Sequence, residues 1–470
     1  MHSQNTSGSS SHYDIIVIGS GPSGQKAAIQ AAKLRKRVAI IEQSSEVGGV
    51  CTNTGTIPSK SFREAVLYLS GFRERSIYGN AYRVKTNITI NDLTFRIGSI
   101  IRHENDVIEH QLSRNRIEII QGRASFIDQN QILLENRDGV STKTADKFVI
   151  AVGTKPNHPP GFDIDGDRIL DSDDILTVKQ LPRKLTIVGG GIIGIEYASM
   201  FAVLGIKVTL VEAKKQLLTF VDREIVESLK YHLRNLGITI RLGEEVLEVT
   251  RREDGQVVTS LKSGKKIVSD TVLVSAGRQG ATDSLNLENL DIEVNKFGKI
   301  KVNENFQTAA ENVYAVGDVI GFPALASTGK RQGRLAASHA FGVKEDFEEI
   351  PLPWGIYTIP EIALVGETED SLTEKQVPYE TGIARYKEIA RGQLIGDELG
   401  MLKIIFHRDT LQLLGVHIIG EGATEIIHLG QAVLHLKGGL EYLTEGVFNY
   451  PTLTECYKVA ALDGLNKIRA

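Results

Sequence analysis

Cysteine is scarce here: only Cys51 and Cys456 occur among 470 residues. That scarcity excludes a disulfide scaffold and a cysteine-rich metal site. The 11 histidines show no close metal-ligand spacing, so no metal centre is expected. A charge excess is missing too. The formal net charge of -4 gives no electrostatic reason to expect nucleic acid or an anionic membrane as a partner. No apolar run approaches the length needed to span a bilayer. The stretch before Tyr13 is polar and rich in Ser, Asn and Thr. It lacks the basic start and apolar core of a secretory signal, so residues 1–12 are expected to form a disordered extension. Reduced thiols and a cytoplasmic setting follow as expectations.

Glycine, in contrast, is plentiful at 46 residues, in a chain long enough for three or four domains. The glycines mark an internal repeat. Tyr13 to Ile18 reads as a short apolar strand, followed by Gly19-Ser20-Gly21-Pro22-Ser23-Gly24, an Ala-rich helix to about Leu34, and a strand Val38 to Ile41 ending at Glu42. Leu185 to Val188 reads as a strand, followed by Gly189-Gly190-Gly191-Ile192-Ile193-Gly194, a helix to about Leu204, and a strand Val208 to Val211 ending at Glu212. Each key position recurs at an offset of 170, from Gly19 to Gly189 through Glu42 to Glu212.

Each part has a chemical reason. The first glycine permits the strand-to-helix turn, the second lets the backbone approach a pyrophosphate, and the third allows close helix–strand packing. The helix N-terminus, opened by Pro22 and Ser23 or by Ile192 and Ile193, offers amides and a positive dipole end to phosphates. The acid after the second strand, with Gln43 next to it in the first copy, can accept hydrogen bonds from a ribose diol. One such motif is a weak signal. Two copies with complete flanking elements predict two dinucleotide sites and an α/β fold.

The segment Val47-Gly48-Gly49-Val50-Cys51-Thr52-Asn53-Thr54-Gly55-Thr56-Ile57-Pro58-Ser59-Lys60 resembles the active-site segment of the pyridine nucleotide–disulfide oxidoreductases, which carry cysteine at the places of both Cys51 and Thr56. Ala151 to Thr154, Ala276-Gly277-Arg278, Tyr314 to Asp318 and Gly415 to Gly420 resemble further family segments in the family's order. The resemblance implies two Rossmann-like domains, for FAD and NAD(P), plus a C-terminal mixed α/β dimerisation domain. It puts the FAD domain at residues 13–152 and 284–350, the nicotinamide domain at 153–283 and the interface domain at 351–470. It implies a homodimer or higher homo-oligomer. Gly48, Gly49, Cys51, Gly153 and Asp318 join the first repeat as cofactor-binding positions, and Gly277 and Lys214 join the second. Cys51 takes the outer, substrate-facing place, where a structural thiol is the favoured reading.

Two departures narrow the chemistry. Thr56 cannot form a disulfide. In Phe448-Asn449-Tyr450-Pro451-Thr452-Leu453-Thr454-Glu455, Tyr450 stands where the family's disulfide reductases place a histidine base, and a phenol with a pKa of about 10 is a poor base at neutral pH. Gly55 to Lys60 and Phe448 to Thr452 resemble the FAD-dependent pyridine nucleotide transhydrogenases within that family. The resemblance implies NADPH + NAD⁺ = NADP⁺ + NADH, with NAD(H) and NADP(H) exchanging hydride through flavin N5 in a ping-pong order. Lys60 and Glu196 correspond to the family's ion pair beside N5, with Lys60 stabilising negative charge on the flavin. Glu212 suits a free 2′-hydroxyl, while Lys214 and Lys215 offer charge to a 2′-phosphate. A dihydrolipoamide dehydrogenase-like disulfide reductase and an NAD(P)H oxidase or quinone reductase remain as alternatives.

Overall fold

The computed structural model describes residues 12–345 and 350–469; of the expected N-terminal extension, only His12 falls among them, as the first residue of a strand. The chain divides into two compact units, one comprising Met1–Ser61, Phe95–Asn157 and Gly277–Phe347, the other Phe62–Thr94, His158–Ala276 and Glu348–Ala470.

The first unit is built on a seven-stranded sheet. Its parallel part runs Glu118–Gln121, Val38–Glu42, His12–Ile18, Gly139–Ile150, Val313–Ala315, and an antiparallel hairpin, Arg123–Asp128 with Gln131–Asn136, extends from Gly139–Ile150. The central strands are apolar over residues 15–18 and 38–41 because both faces are covered. One face packs on Phe126, Phe148, Leu285 and Leu287, the other on Ala27, Ala28, Ala31, Ala336 and Ala337. The alanines let two helices, Pro22–Lys33 and Ala326–Ala340, approach very closely. A Cβ on Gly333 would lie 2.1 Å from the Ser23 carbonyl oxygen.

The second unit repeats the parallel theme in the order Thr239–Leu242, Lys207–Glu212, Lys184–Val188, Thr271–Val274, Ile169–Leu170. The repeat extends to register: Ile18 pairs Ile41 and Ile150 in the first sheet, and Val188 pairs Val211 and Val274 in the second. A three-stranded antiparallel sheet, Val246–Arg251, Val257–Leu261 and Lys266–Ser269, belongs to the same unit. So does a five-stranded antiparallel sheet ordered Trp354–Ile356, Ile362–Gly366, Leu413–Ile419, Met401–His407, Tyr379–Arg385. Helices Ala423–His435 and Glu455–Arg469 complete that last layer around Phe406, Tyr386 and Tyr457.

The helix Arg223–Asn235 shows how local sequence fixes an element. Asp222 caps it by accepting from the Glu224 amide at 3.1 Å, Glu224 sits in the first turn, and His232 and Arg234 sit in the last. Asp222 also receives Lys403, whose ammonium lies 3.0 Å from Asp222 Oδ1, 3.1 Å from Glu224 Oε2 and against Glu369. Burial alone would lower the lysine's pKa; the bond to Glu369 and the Asp222 charge more than offset it, so the ammonium is held above its ordinary range. Removing one partner of so buried a pair costs roughly 3–5 kcal/mol. These three carboxylates converge closely enough for a cation, and the cation they meet is Lys403.

No helix among the described residues is long and apolar enough to cross a membrane.

Candidate active site

In the first repeat, Gly19 has φ +106°, and a Cβ there would lie 2.4 Å from the Ala151 carbonyl oxygen. Gly24 is closer still to its neighbour, since a Cβ would lie 2.0 Å from the Gly19 carbonyl oxygen. Gly21 caps the helix Pro22–Lys33 in extended conformation, and a Cβ there would meet nothing within 4 Å. That open space at a helix N-terminus fits a pyrophosphate. Glu42 is buried and aimed back at the loop: Oε2 accepts from the Ser20 amide at 3.0 Å and hydroxyl at 2.6 Å, and Oε1 from the Ser44 amide at 2.9 Å. Ser20 Oγ in turn accepts from the Gly48 amide at 2.9 Å. The Gly48–Gly49 turn, at φ +100° and +61°, brings Gly49 against Gly21. Gln43 is exposed.

The second repeat uses the same geometry. Gly189 has φ +103°, a Cβ on Gly194 would lie 2.0 Å from the Gly189 carbonyl oxygen, and Gly191 again has nothing within 4 Å. Gly191 caps the helix Ile192–Val203, whose first residues are Ile192 and Ile193. Glu212 Oε2 accepts from the Gly190 amide at 2.6 Å and Oε1 from the Lys214 amide at 2.8 Å. Lys214 and Lys215 are exposed. Sequence reasoning missed Ser20 and Ser275. Ser275 Oγ donates to the carbonyls of Val188 and Gly189 at 2.9 and 3.0 Å and braces the second loop. A hydroxyl inside the glycine-rich turn was the available signal for Ser20, whereas Ser275 lies 86 residues from Gly189 in the sequence and carried no such signal.

Cys51 lies in the short helix Gly49–Asn53, and Thr56 opens the helix Thr56–Ser70 that carries Lys60. Burial pushes the Cys51 thiol up, opposed by a hydrogen bond with the Thr56 side chain and by the charges of Lys330 and Lys60. Thr56 thus puts a hydroxyl, and not a second sulfur, near this thiol. Cys456 is fully buried in the core of the C-terminal layer, and its thiol is pushed up to about 12 by burial. Tyr450 is 68% exposed. Glu455 starts the last helix, with Oε2 buried and without a hydrogen-bond partner. Glu196 is 3% exposed on the helix Ile192–Val203, and its Oε1 accepts from the Tyr357 amide at 2.8 Å.

Asp318, in the turn Gly317–Ile320, has its carboxyl pushed up by burial, opposed by Lys299 and Arg278. Lys299 Nζ donates to the Asp318 carbonyl at 2.6 Å. Arg278 donates to Thr154 Oγ1 at 3.0 Å and to its carbonyl at 2.9 Å. Gly153 and Gly277, at φ +64° and +88°, turn the chain into the paired strands Thr154–Pro156 and Arg278–Gly280.

The pyridine nucleotide-disulphide oxidoreductase family model matches residues 13–333, and the dimerisation domain of that family matches residues 352–461. The chain is 55% identical over 460 residues to a soluble pyridine nucleotide transhydrogenase of Mycobacterium bovis, covering 97% of this chain and 98% of that one. It is 47% identical over 468 residues to a soluble pyridine nucleotide transhydrogenase of Salmonella paratyphi C, with the same coverage, 97% and 98%. Among solved structures, LpdA of Mycobacterium tuberculosis superposes with TM-score 0.88 at 26% identity, covering 95% of this chain and 99% of that one. The HOCl-induced flavoprotein disulfide reductase RclA of Escherichia coli superposes with TM-score 0.86 at 28% identity, covering 96% and 99%.

Proposed function

The chain belongs to the pyridine nucleotide-disulphide oxidoreductases, and we propose that within that family it is an FAD-dependent transhydrogenase catalysing NADPH + NAD⁺ = NADP⁺ + NADH. The curated relatives over nearly the whole length carry that name. The observation that carries the reading is Thr56 itself, a hydroxyl at the place where a disulfide reductase needs a second thiol. The Cys51 segment itself holds no dithiol to take electrons onward, and Cys456 is buried in the core of the C-terminal layer.

Both glycine loops have the room and the donors for a dinucleotide, so the residues fit FAD and a nicotinamide nucleotide. The first loop, with Glu42, Gly48, Gly49 and Asp318, would hold FAD; the second, with Glu212 and Lys214, would hold each nicotinamide nucleotide in turn. When bound, the flavin supplies a hydride acceptor for one nicotinamide and a donor for the other. The protein's part is orientation and electrostatics. The helix N-termini bind the pyrophosphates, and Glu212 accepts from a ribose diol while Lys214 stands ready for a 2′-phosphate. Lys60 supplies positive charge to the hydride step, and Glu196, fixed by the Tyr357 amide, is its acidic counterpart. A homodimer formed through the C-terminal layer, working in the cytoplasm, completes the reading.

Anaerobic titration with NADPH tests it. The flavin absorbance bleaches at one two-electron equivalent and returns in full when NAD⁺ is added, with NADH formed. Uptake of a second equivalent, or robust lipoamide-dependent NADH oxidation, would refute it.

A further inference from the structure

Arg63 is among the largest side chains wholly inside the protein, at 1% exposure, on the helix that also carries Lys60. A buried guanidinium has to place all its donors. Here Nε and Nη2 donate to the Thr358 carbonyl at 3.2 and 3.1 Å, Nη2 lies 3.2 Å from Glu361 Oε1, and Nη1 donates to Glu64 Oε1 at 2.8 Å. Glu361 is itself buried, and its other oxygen accepts from Thr424 Oγ1 at 2.9 Å. Apart from Glu64 on the same helix, the partners lie on a short segment of the C-terminal layer.

That segment also holds the helix Ile192–Val203. The Tyr357 amide donates to Glu196 Oε1 at 2.8 Å, and the Ile359 amide donates to Ser199 Oγ at 3.1 Å. Phe62, next to Arg63, packs its ring against Phe201 of the same helix at 5.7 Å between centroids. One stretch of five residues, Tyr357 to Glu361, therefore grips the helix of Lys60 through Arg63 and Glu196 directly.

From this juxtaposition we infer that Arg63 is a positioning residue for hydride transfer, fixing where Lys60 and Glu196 stand during the reaction. The inference rests on the assignment of those two residues to the hydride step. Arginine suits the role because its rigid planar fork bonds a carbonyl and a carboxylate at once, so it fixes the helix in rotation as well as in distance. A lysine would keep the charge and lose the fork.

The test uses the full-length, FAD-loaded protein and two variants, Arg63→Lys and the double change Arg63→Met with Glu361→Leu. The double change removes the pair without leaving a lone buried charge, so the variant is expected to fold. Four quantities are measured: kcat per bound flavin, KM for each nucleotide, the flavin midpoint potential, and amide hydrogen exchange over Thr56 to Lys60. The expected result is a kcat lower by about tenfold in the double variant, with KM within about twofold. Faster exchange and a shifted potential accompany it, and Arg63→Lys lies between it and the unmodified protein. A lowered melting temperature with kcat, exchange and potential unchanged would make Arg63 a purely structural residue and overturn the inference. Lys60→Ala runs in parallel. If it slows the reaction and the Arg63 variants do not, this inference alone fails; if it changes nothing, the role given to Lys60 fails as well.

Discussion

The two glycine-rich repeats share a backbone and differ in how tightly it is closed. In both, the first glycine amide donates at 2.8 Å to the carbonyl of the second strand, Ile41 or Val211. The difference begins one residue later. Ser20 fills the place where Gly190 stands, and its hydroxyl links Glu42 to the Gly48 amide. Three backbone or hydroxyl donors occupy Glu42, against two for Glu212. A carboxylate has about four acceptor positions, so Glu212 keeps more of them for a ligand. Ser23 sits under Gly317, Gly329 and Gly333, while Gly191 is exposed. One loop is stitched into its surroundings and the other is left accessible, which fits the proposed split between a retained cofactor and an exchanged substrate.

The third glycines offer the strongest way to break this comparison. Gly24→Ala and Gly194→Ala each drive a methyl to within 2.0 Å of a backbone oxygen, so each distorts its own loop. Gly24→Ala is expected to yield protein without flavin and less stable by roughly 1–3 kcal/mol. Gly194→Ala is expected to keep its flavin, with reduction by either nucleotide slowed by about a hundredfold. Flavin absorbance of the purified proteins and stopped-flow reduction separate the two. If both variants lose flavin equally, the division of labour between the loops is wrong.

A smaller effect sharpens the comparison at the acids. Glu212→Gln removes the charge that repels a 2′-phosphate while leaving Lys214 in place. The ratio of kcat/KM for NADPH over NADH should rise by about tenfold, or near 1.4 kcal/mol. Glu42→Gln, at the matching position, should weaken flavin retention and leave that ratio alone. A ratio that moves with Glu42 and not with Glu212 would reverse the assignment.

Much of this was legible in the residues, because a dinucleotide loop is a local device. Strand, turn, helix and acid lie within about thirty residues, and the offset of 170 carried over to strand register. The strands proved longer at their polar ends, since Lys184, Lys207, Glu42 and Glu212 also join the ladders. The chain passes between the two units at Asn157 and Gly277. The connecting strands Thr154–Pro156 and Arg278–Gly280 pair with each other and so stay in the first unit. The role of Arg63 was not legible. Its carbonyl partner lies 295 residues away, and no local pattern distinguishes it from an ordinary helix-surface arginine. Nor was it foreseeable that Phe62–Thr94 would join the second unit.

The smallest expected effect compares the two units under acid. In the first unit, His12, His103, His110 and His339 are exposed. The second contains two buried histidines, His232 and His417, both with pKa lowered by burial. Asp397 opposes the shift at His232. At His417, Asp222, the Glu367 carbonyl and Glu369 oppose it, and Lys403 reinforces it. His417 Nε2 is 2.8 Å from the Glu367 carbonyl, and Nδ1 has no partner. A buried neutral imidazole favours folding most when the unfolded chain is also neutral, above about pH 6.5. As pH falls below that value, the unfolded chain binds protons that the folded one refuses, and stability declines until the folded-state pKa is passed. The second unit should therefore loosen first on acidification. Hydrogen exchange at about pH 7.5 and about pH 5.5 reads this out. Protection of Met401–His407 and Leu413–Ile419 should fall while that of His12–Ile18 and Gly139–Ile150 holds. Loss of protection in the first unit's strands before the second's would show that these buried histidines do not govern the acid limb.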